Sequence, residues 1–169
     1  VYHTDDAEGS YKLDLGGVTM KDGDYLAAGA SSVSATKPNA GYAYYKDGVL
    51  TLNGYKNDSA ELIFRERHLE INLIGENELS SIVNGHYYFK EYDVEDIEDP
   101  YCLTIGGEGS LRIGWHGDPS YVFAVNGDIN FTGGKIRFYD GGYCGTYKTK
   151  NITISGGAEV EFQAYCQGL

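Results

Sequence analysis

From Gly85 to Tyr101 the chain reads Gly85-His-Tyr-Tyr-Phe-Lys-Glu-Tyr-Asp-Val-Glu-Asp-Ile-Glu-Asp-Pro-Tyr101, its densest run of groups able to bind or react. Asp93, Glu95, Asp96 and Asp99, with Glu91 and Glu98 beside them, offer hard oxygen ligands of the kind Ca²⁺ takes in sets of roughly six to eight. The spacing is not that of an EF-hand loop, because no central glycine follows the aspartates. A solvated acidic loop without metal accounts for the same residues. Aromatic rings surround these carboxylates: Tyr87, Tyr88, Tyr92 and Tyr101, with Trp115 in the next connection. Such rings are apolar on their faces and polar at one edge, so they stack on sugars while hydrogen-bonding their hydroxyls. The expectation is a carbohydrate platform at Tyr87, Tyr88, Tyr92, Tyr101 and Trp115, beside a calcium site at Asp93, Glu95, Asp96 and Asp99. The competing expectation is that the rings only pack the insertion onto the body of the domain.

Catalysis needs more than this. A polysaccharide lyase requires a base, commonly Arg or Lys, beside metal-held carboxylates, and the candidates are Arg112, Lys135 and Arg137. A glycoside hydrolase requires two carboxyl groups about 5–9.5 Å apart across a cleft. Asp118, Asp128 and Asp140 lie in successive connections, but nothing in the sequence pairs them, and aspartate at a turn usually serves the turn. His3, His68, His86 and His116 are scattered without transition-metal spacing. The expected activity is therefore binding without catalysis, and lyase or hydrolase chemistry is the minority alternative.

The groups must be held by something, and an internal repeat says what. A phrase of strand, glycine turn and strand begins at Ile71, Leu103, Ile129 and Ile152, with spacings of 103−71 = 32, 129−103 = 26 and 152−129 = 23 residues. Short strands at a period in the twenties predict a β-solenoid of stacked coils. In the second strands, Leu111, Ile136 and Val160 should share one inward row, and Ile113, Phe138 and Phe162 the next. Ser110, Lys135 and Glu159 then share an outward row, as do Arg112, Arg137 and Glu161, which predicts Lys135–Glu159 and Arg137–Glu161 ion pairs between neighbouring coils. The Gly-Gly steps at 106–107, 133–134 and 156–157 fall at corners, where one glycine of each pair should take positive φ. Residues 1–56 differ from the coils of 57–169 and read as an N-terminal cap and first strands, with a loop or short helix between Ala27 and Ala40.

Composition bounds the rest. A chain of 169 residues with 24 Gly, 16 Tyr and only 3 Pro suits one all-β domain with many turns. The net charge of −12 argues against nucleic acid and anionic membranes, and no apolar run reaches the length of a membrane span. The three cysteines make no zinc motif. Cys144 and Cys166 are 166−144 = 22 residues apart, about one coil, so they are either a bridge between rungs or two buried thiols; Cys102 is expected as a core thiol at a strand start. The start at Val1 and stop at Leu169 suggest one part of a larger multidomain chain.

Leu15-Gly-Gly-Val18, Gly41-Tyr-Ala-Tyr-Tyr-Lys-Asp-Gly-Val-Leu-Thr-Leu-Asn-Gly54, Tyr121-Val-Phe-Ala-Val-Asn-Gly-Asp-Ile-Asn-Phe131 and Asn151-Ile-Thr-Ile-Ser-Gly-Gly157 together span most of the chain. They resemble the repeat-bearing extracellular carbohydrate-binding β-helix modules of clostridia and ruminococci. The resemblance implies a short, single-stranded right-handed parallel β-helix, secreted or attached to the cell wall. It further implies a plant-type or cell-wall polysaccharide as partner, bound in some members with calcium. No cofactor is required on this reading, and Ca²⁺ is the one ion the acidic segment suits. The alternative from a different class is a cell-surface adhesion or spacer module that contacts protein.

Overall fold

The computed structural model describes residues 13–84, 101–114, 123–140 and 149–164. Within them every regular element is a strand. The chain opens with a hairpin of β1 (Leu13–Leu15) and β2 (Val18–Met20), then β3 (Tyr25–Ala27), β4 (Tyr42–Lys46), β5 (Val49–Asn53) and β6 (Glu61–Phe64). Successive turns of chain follow: β7 (His68–Ile74), β8 (Glu76–Leu79) and β9 (Ser81–Asn84); β10 (Tyr101–Gly107), β11 (Ser110–Ile113) and β12 (Phe123–Ala124); β13 (Gly127–Phe131) and β14 (Lys135–Asp140); β15 (Thr149–Ile154) and β16 (Glu159–Ala164).

Three sheets result. One has seven strands in the order β15-β13-β10-β7-β5-β4-β3, one has four in the order β16-β14-β11-β8, and one has five in the order β12-β9-β6-β1-β2. The turns β7-β8-β9 and β10-β11-β12 pass through the seven-, four- and five-stranded sheets in that order, β13-β14 and β15-β16 through the first two in the same order, and pairing between turns is parallel. Only the N-terminal strands pair antiparallel: β3 with β4, β4 with β5, β2 with β1, and β1 with β6. Alternation turns one side of each strand inward, so Leu50, Ile71, Leu103, Ile105, Ile129, Leu111, Ile136 and Phe138 lie at or below 1% exposure in a single core between the sheets.

The rows expected of the second strands are present. Leu111, Ile136 and Val160 lie in register, as do Ile113, Phe138 and Phe162, and the outward partners fall between them. At the corners Gly107, Gly134, Gly156 and Gly157 take positive φ, the last step using both of its glycines. Elsewhere the structure corrects the sequence. Leu103 pairs with Leu69 and Ile105 with Ile71, so the first phrase begins two residues earlier than its apolar pattern suggests. The parallel stack starts at β5, within residues 1–56, since Leu50 pairs in parallel with Ile71. No helix forms between Ala27 and Ala40; Tyr25 and Ser34 instead exchange backbone hydrogen bonds of 2.8 Å. Cys102 is not a core thiol: it faces outward, half-buried, and receives a hydrogen bond from Asn130 Nδ2 at 3.3 Å.

Asn77 explains the misread phrase. It pairs with Leu111 and so occupies an inward row that is otherwise apolar, yet it is only 2% exposed. Its Oδ1 accepts from the Tyr55 backbone N–H at 2.8 Å, and its Nδ2 donates to the carbonyls of Ile74, Gly75 and Ser110 at 3.1–3.2 Å. A buried amide so fully satisfied is stabilising, whereas an apolar replacement orphans a backbone N–H and loses three acceptor contacts. Asn77→Leu, which matches the apolar row, should therefore lower stability by ~1–3 kcal/mol in urea unfolding; an unchanged or raised midpoint would refute that role.

Two buried phenols add a pH dependence. Burial, then the 2.9 Å hydrogen bond donated to Glu66, push the Tyr45 hydroxyl well above the usual tyrosine range; burial also raises Tyr55, with Asn57 acting against it. A raised folded-state pKa means that the unfolded chain ionises first. The contribution is complete below about pH 10 and is lost as pH rises, at up to ~1.4 kcal/mol per pH unit for each phenol. Urea midpoints should fall from about pH 10 upward, and Tyr45→Phe should flatten that fall while costing ~1 kcal/mol at pH 8.

Candidate binding surface

Strands β3, β4 and β5 put alternate residues on the outside of the seven-stranded sheet. Leu26, Ala43, Leu50 and Leu52 point into the core, which leaves Tyr25, Tyr42, Tyr44, Thr51 and Asn53 outward and half-buried. Register then gathers the tyrosines, because Tyr25 pairs with Tyr44, Tyr44 with Thr51, and Tyr42 with Asn53. The Tyr25 and Tyr44 rings stack with centroids 4.3 Å apart and 26° between planes, and Tyr42 meets Tyr25 edge-on at 5.5 Å. Asn53 Nδ2 donates to the Tyr42 hydroxyl at 3.2 Å, and the Lys37 ammonium lies 5.3 Å from the Tyr42 ring centre.

The surface continues onto the next strand. Ile74, 43% exposed, pairs with Asn53, and Asn72 pairs with Thr51. One row to the side, starting on the same strand, Glu70, Thr104, Asn130 and Thr153 form an outward row of hydrogen-bonding groups, each in register with the next. Aromatic faces beside amides and hydroxyls can receive a sugar ring on one side and its hydroxyls on the other. Small Ala43 between Tyr42 and Tyr44, opposite the polar alternation of Thr51 and Asn53, was the sequence signal for this cluster. The acidic insertion, richer in rings, drew the sequence reading instead.

Of the expected platform, Tyr101 opens β10 and is 5% exposed, meeting Phe64 edge-on at 6.0 Å with the Arg67 guanidinium 4.8 Å from its ring. It is a core residue with no face left for a sugar, which corrects its place in the platform. Tyr87, Tyr88, Tyr92, Trp115, Asp93, Glu95, Asp96, Asp99, Cys144 and Cys166 lie outside the described residues. Among the described residues no group of three or more His, Cys, Asp and Glu side chains could hold a metal ion. His68, Cys102 and Asp128 do share an outward row, but the thiol stands between imidazole and carboxylate, the wrong order for a nucleophile, base and orienting acid. Asp128 accepts instead from Asn151 Nδ2 at 2.9 Å.

The lyase candidates sit on the four-stranded sheet, in a ladder of opposite charges. Lys56 meets Glu76 at 2.7 Å, Arg112 meets Glu78 at 2.9 Å, Lys135 meets Glu159 at 3.3 Å and Arg137 meets Glu161 at 3.0 Å. The last two pairs are those expected from the repeat. The hydrogen bond between Lys56 and Glu76 lowers the Glu76 pKa and raises that of Lys56. The groove among these side chains has a volume of about 260 Å³, below the roughly 300–1,000 Å³ usual for a small-molecule pocket.

No family model, curated protein or solved structure matches this chain.

Because the ladder pairs are exposed, Lys135→Gln and Arg137→Gln should each cost less than ~1 kcal/mol in urea unfolding, and less again in high salt. A loss above about 2 kcal/mol, insensitive to salt, would mean that the ladder is more than a solvated face.

Proposed function

We propose that this chain is a noncatalytic extracellular carbohydrate-binding module, built on a short right-handed parallel β-helix and working within a larger multidomain protein. The observation that carries this reading is the outward-facing, half-buried cluster of Tyr25, Tyr42 and Tyr44, edged by Asn53, Asn72 and Ile74 on one sheet face. The cluster supplies ring stacking and hydrogen-bond partners together, which is what a pyranose surface demands. The neighbouring row from Glu70 to Thr153 runs alongside it across successive turns, a length suited to an extended polysaccharide rather than a single sugar. Parallel connections that return to one sheet are almost always right-handed, which supports the helical sense. The noncatalytic reading is supported by Arg112, Lys135 and Arg137, each engaged with a carboxylate rather than poised beside a cleft. Calcium, held by Asp93, Glu95, Asp96 and Asp99, would bridge this acidic protein to an acidic glycan.

A glycan array probed with calcium and again with EDTA tests the proposal. Retention of a plant or cell-wall polysaccharide is expected, with Tyr25→Ala and Tyr44→Ala each weakening it about tenfold, near 1.4 kcal/mol. Loss in EDTA would support the metal bridge. Retention untouched by both tyrosine variants would remove this face from the proposal, and no retention in either condition would favour a spacer or adhesion module.

A further inference from the structure

Two outward rows run side by side over the first strands of the seven-stranded sheet: Tyr25, Tyr44, Thr51 and Asn72 in one, Tyr42, Asn53 and Ile74 in the other. The Tyr25 and Tyr44 rings stand on neighbouring strands with centroids 4.3 Å apart and planes only 26° from parallel, so their faces look along the row rather than out of the sheet. Tyr25 covers one face of Tyr44. The other looks over Thr51, whose side chain is too short to continue the stack, and among the described residues no ring lies on it. Strands are about 4.8 Å apart, so the step above Thr51 has the thickness of one stacked ring.

The second row says what that ring must carry. Asn53 lies two residues from Thr51 on the same face of β5, about 6.6 Å along the strand. Its Nδ2 donates to the Tyr42 hydroxyl at 3.2 Å, which fixes the amide and leaves Oδ1 as an acceptor that no donor among the described residues meets. Its register partner Ile74 is 43% exposed, although Leu73 beside it is fully buried. Among the described residues Ile74 is the one large exposed apolar side chain outside β15 and β16. A hydrogen-bond acceptor next to an apolar surface, both within reach of a ring stacked on Tyr44, complements a group with an N–H at one end and a methyl at the other. A plain hydroxyl in that place would leave the isoleucine in water.

We propose that the sugar taken by this face is an N-acetylated amino sugar, a 2-acetamido pyranose within a polysaccharide. Its ring stacks on the free face of Tyr44 above Thr51, its acetamido N–H donates to Asn53 Oδ1, and its methyl lies on Ile74. Thr51 and Asn72 remain for the ring hydroxyls. This assignment rests on the carbohydrate reading of the tyrosine face and narrows it to one substrate class.

Isothermal titration of the whole chain with tetra-N-acetylchitotetraose and with cellotetraose, in buffer containing calcium, isolates the group. Both are chains of equatorially linked pyranoses, and they differ only in carrying an acetamido group or a hydroxyl on each ring. The acetylated chain is expected to bind at least about tenfold more tightly. Ile74→Thr and Asn53→Ala should each bring the two affinities to within about threefold of one another, with circular dichroism and urea midpoints establishing that both variants are folded. Equal affinities for the unchanged chain, or a preference that survives both substitutions, would overturn the acetamido proposal and leave the carbohydrate reading in place. So would binding of neither tetrasaccharide beside Tyr44-dependent retention of another glycan on the array. Retention of no glycan at all would remove both.

Discussion

Everything else in this fold depends on the corner where the seven-stranded sheet passes into the four-stranded one. There the backbones of successive turns lie against each other with no room for side chains. A Cβ on Gly109 would run into the Gly75 carbonyl, and one on Gly134 would stand 2.8 Å from the Gly109 oxygen. That closeness lets hydrogen bonding continue through the bend: Ser110 N donates to Gly75 O at 2.8 Å, Lys135 N to Gly109 O at 3.1 Å, and Glu159 N to Gly134 O at 2.9 Å. Since bond follows bond around the corner, neither sheet can shift its register without the other.

A shared register makes the faces useful. Because the period along a strand is two, one pairing scheme sends Leu111, Ile136 and Phe138 into the core and Ser110, Lys135 and Arg137 out of it. The same scheme on the neighbouring sheet sets tyrosines beside amides, then threonine and asparagine beyond them. Neither surface needs a cleft. Binding chemistry on such a scaffold is distributed along rows, and what varies between turns is which side chain each outward position carries.

Much of this was readable because glycine corners and strict alternation leave a clear trace. The outward pairs Lys135–Glu159 and Arg137–Glu161 followed from counting alone. The failures have physical causes. Leu79 stood out as the apolar residue after the first corner, but Asn77 holds that inward row through four hydrogen bonds, which a hydrophobic pattern cannot register. Cys102 and Tyr101 are neighbours on one strand, so alternation had to send one in and the other out; hydrophobicity ranked them the wrong way for both roles. Tyr42 and Tyr44 share a face by their spacing of two, but Tyr25 joins them only through antiparallel pairing across a long loop, which no local spacing announces. Strand β5 belongs to two schemes, antiparallel to β4 and parallel to β7, so a boundary drawn by composition divides what hydrogen bonding joins.

A stack of look-alike turns faces a particular hazard during folding: one turn can settle on the wrong neighbour, displaced by a whole repeat, and still bury its leucines and isoleucines. Asn77 makes that mistake costly. The Ile74 and Gly75 carbonyls travel with its amide, but the Tyr55 N–H and the Ser110 carbonyl are met only when the β8 turn sits between the Tyr55 backbone and β11; against another apolar row its Oδ1 would be buried without that donor. One asparagine thereby numbers the turns, giving an otherwise interchangeable series a fixed point from which the rest must count.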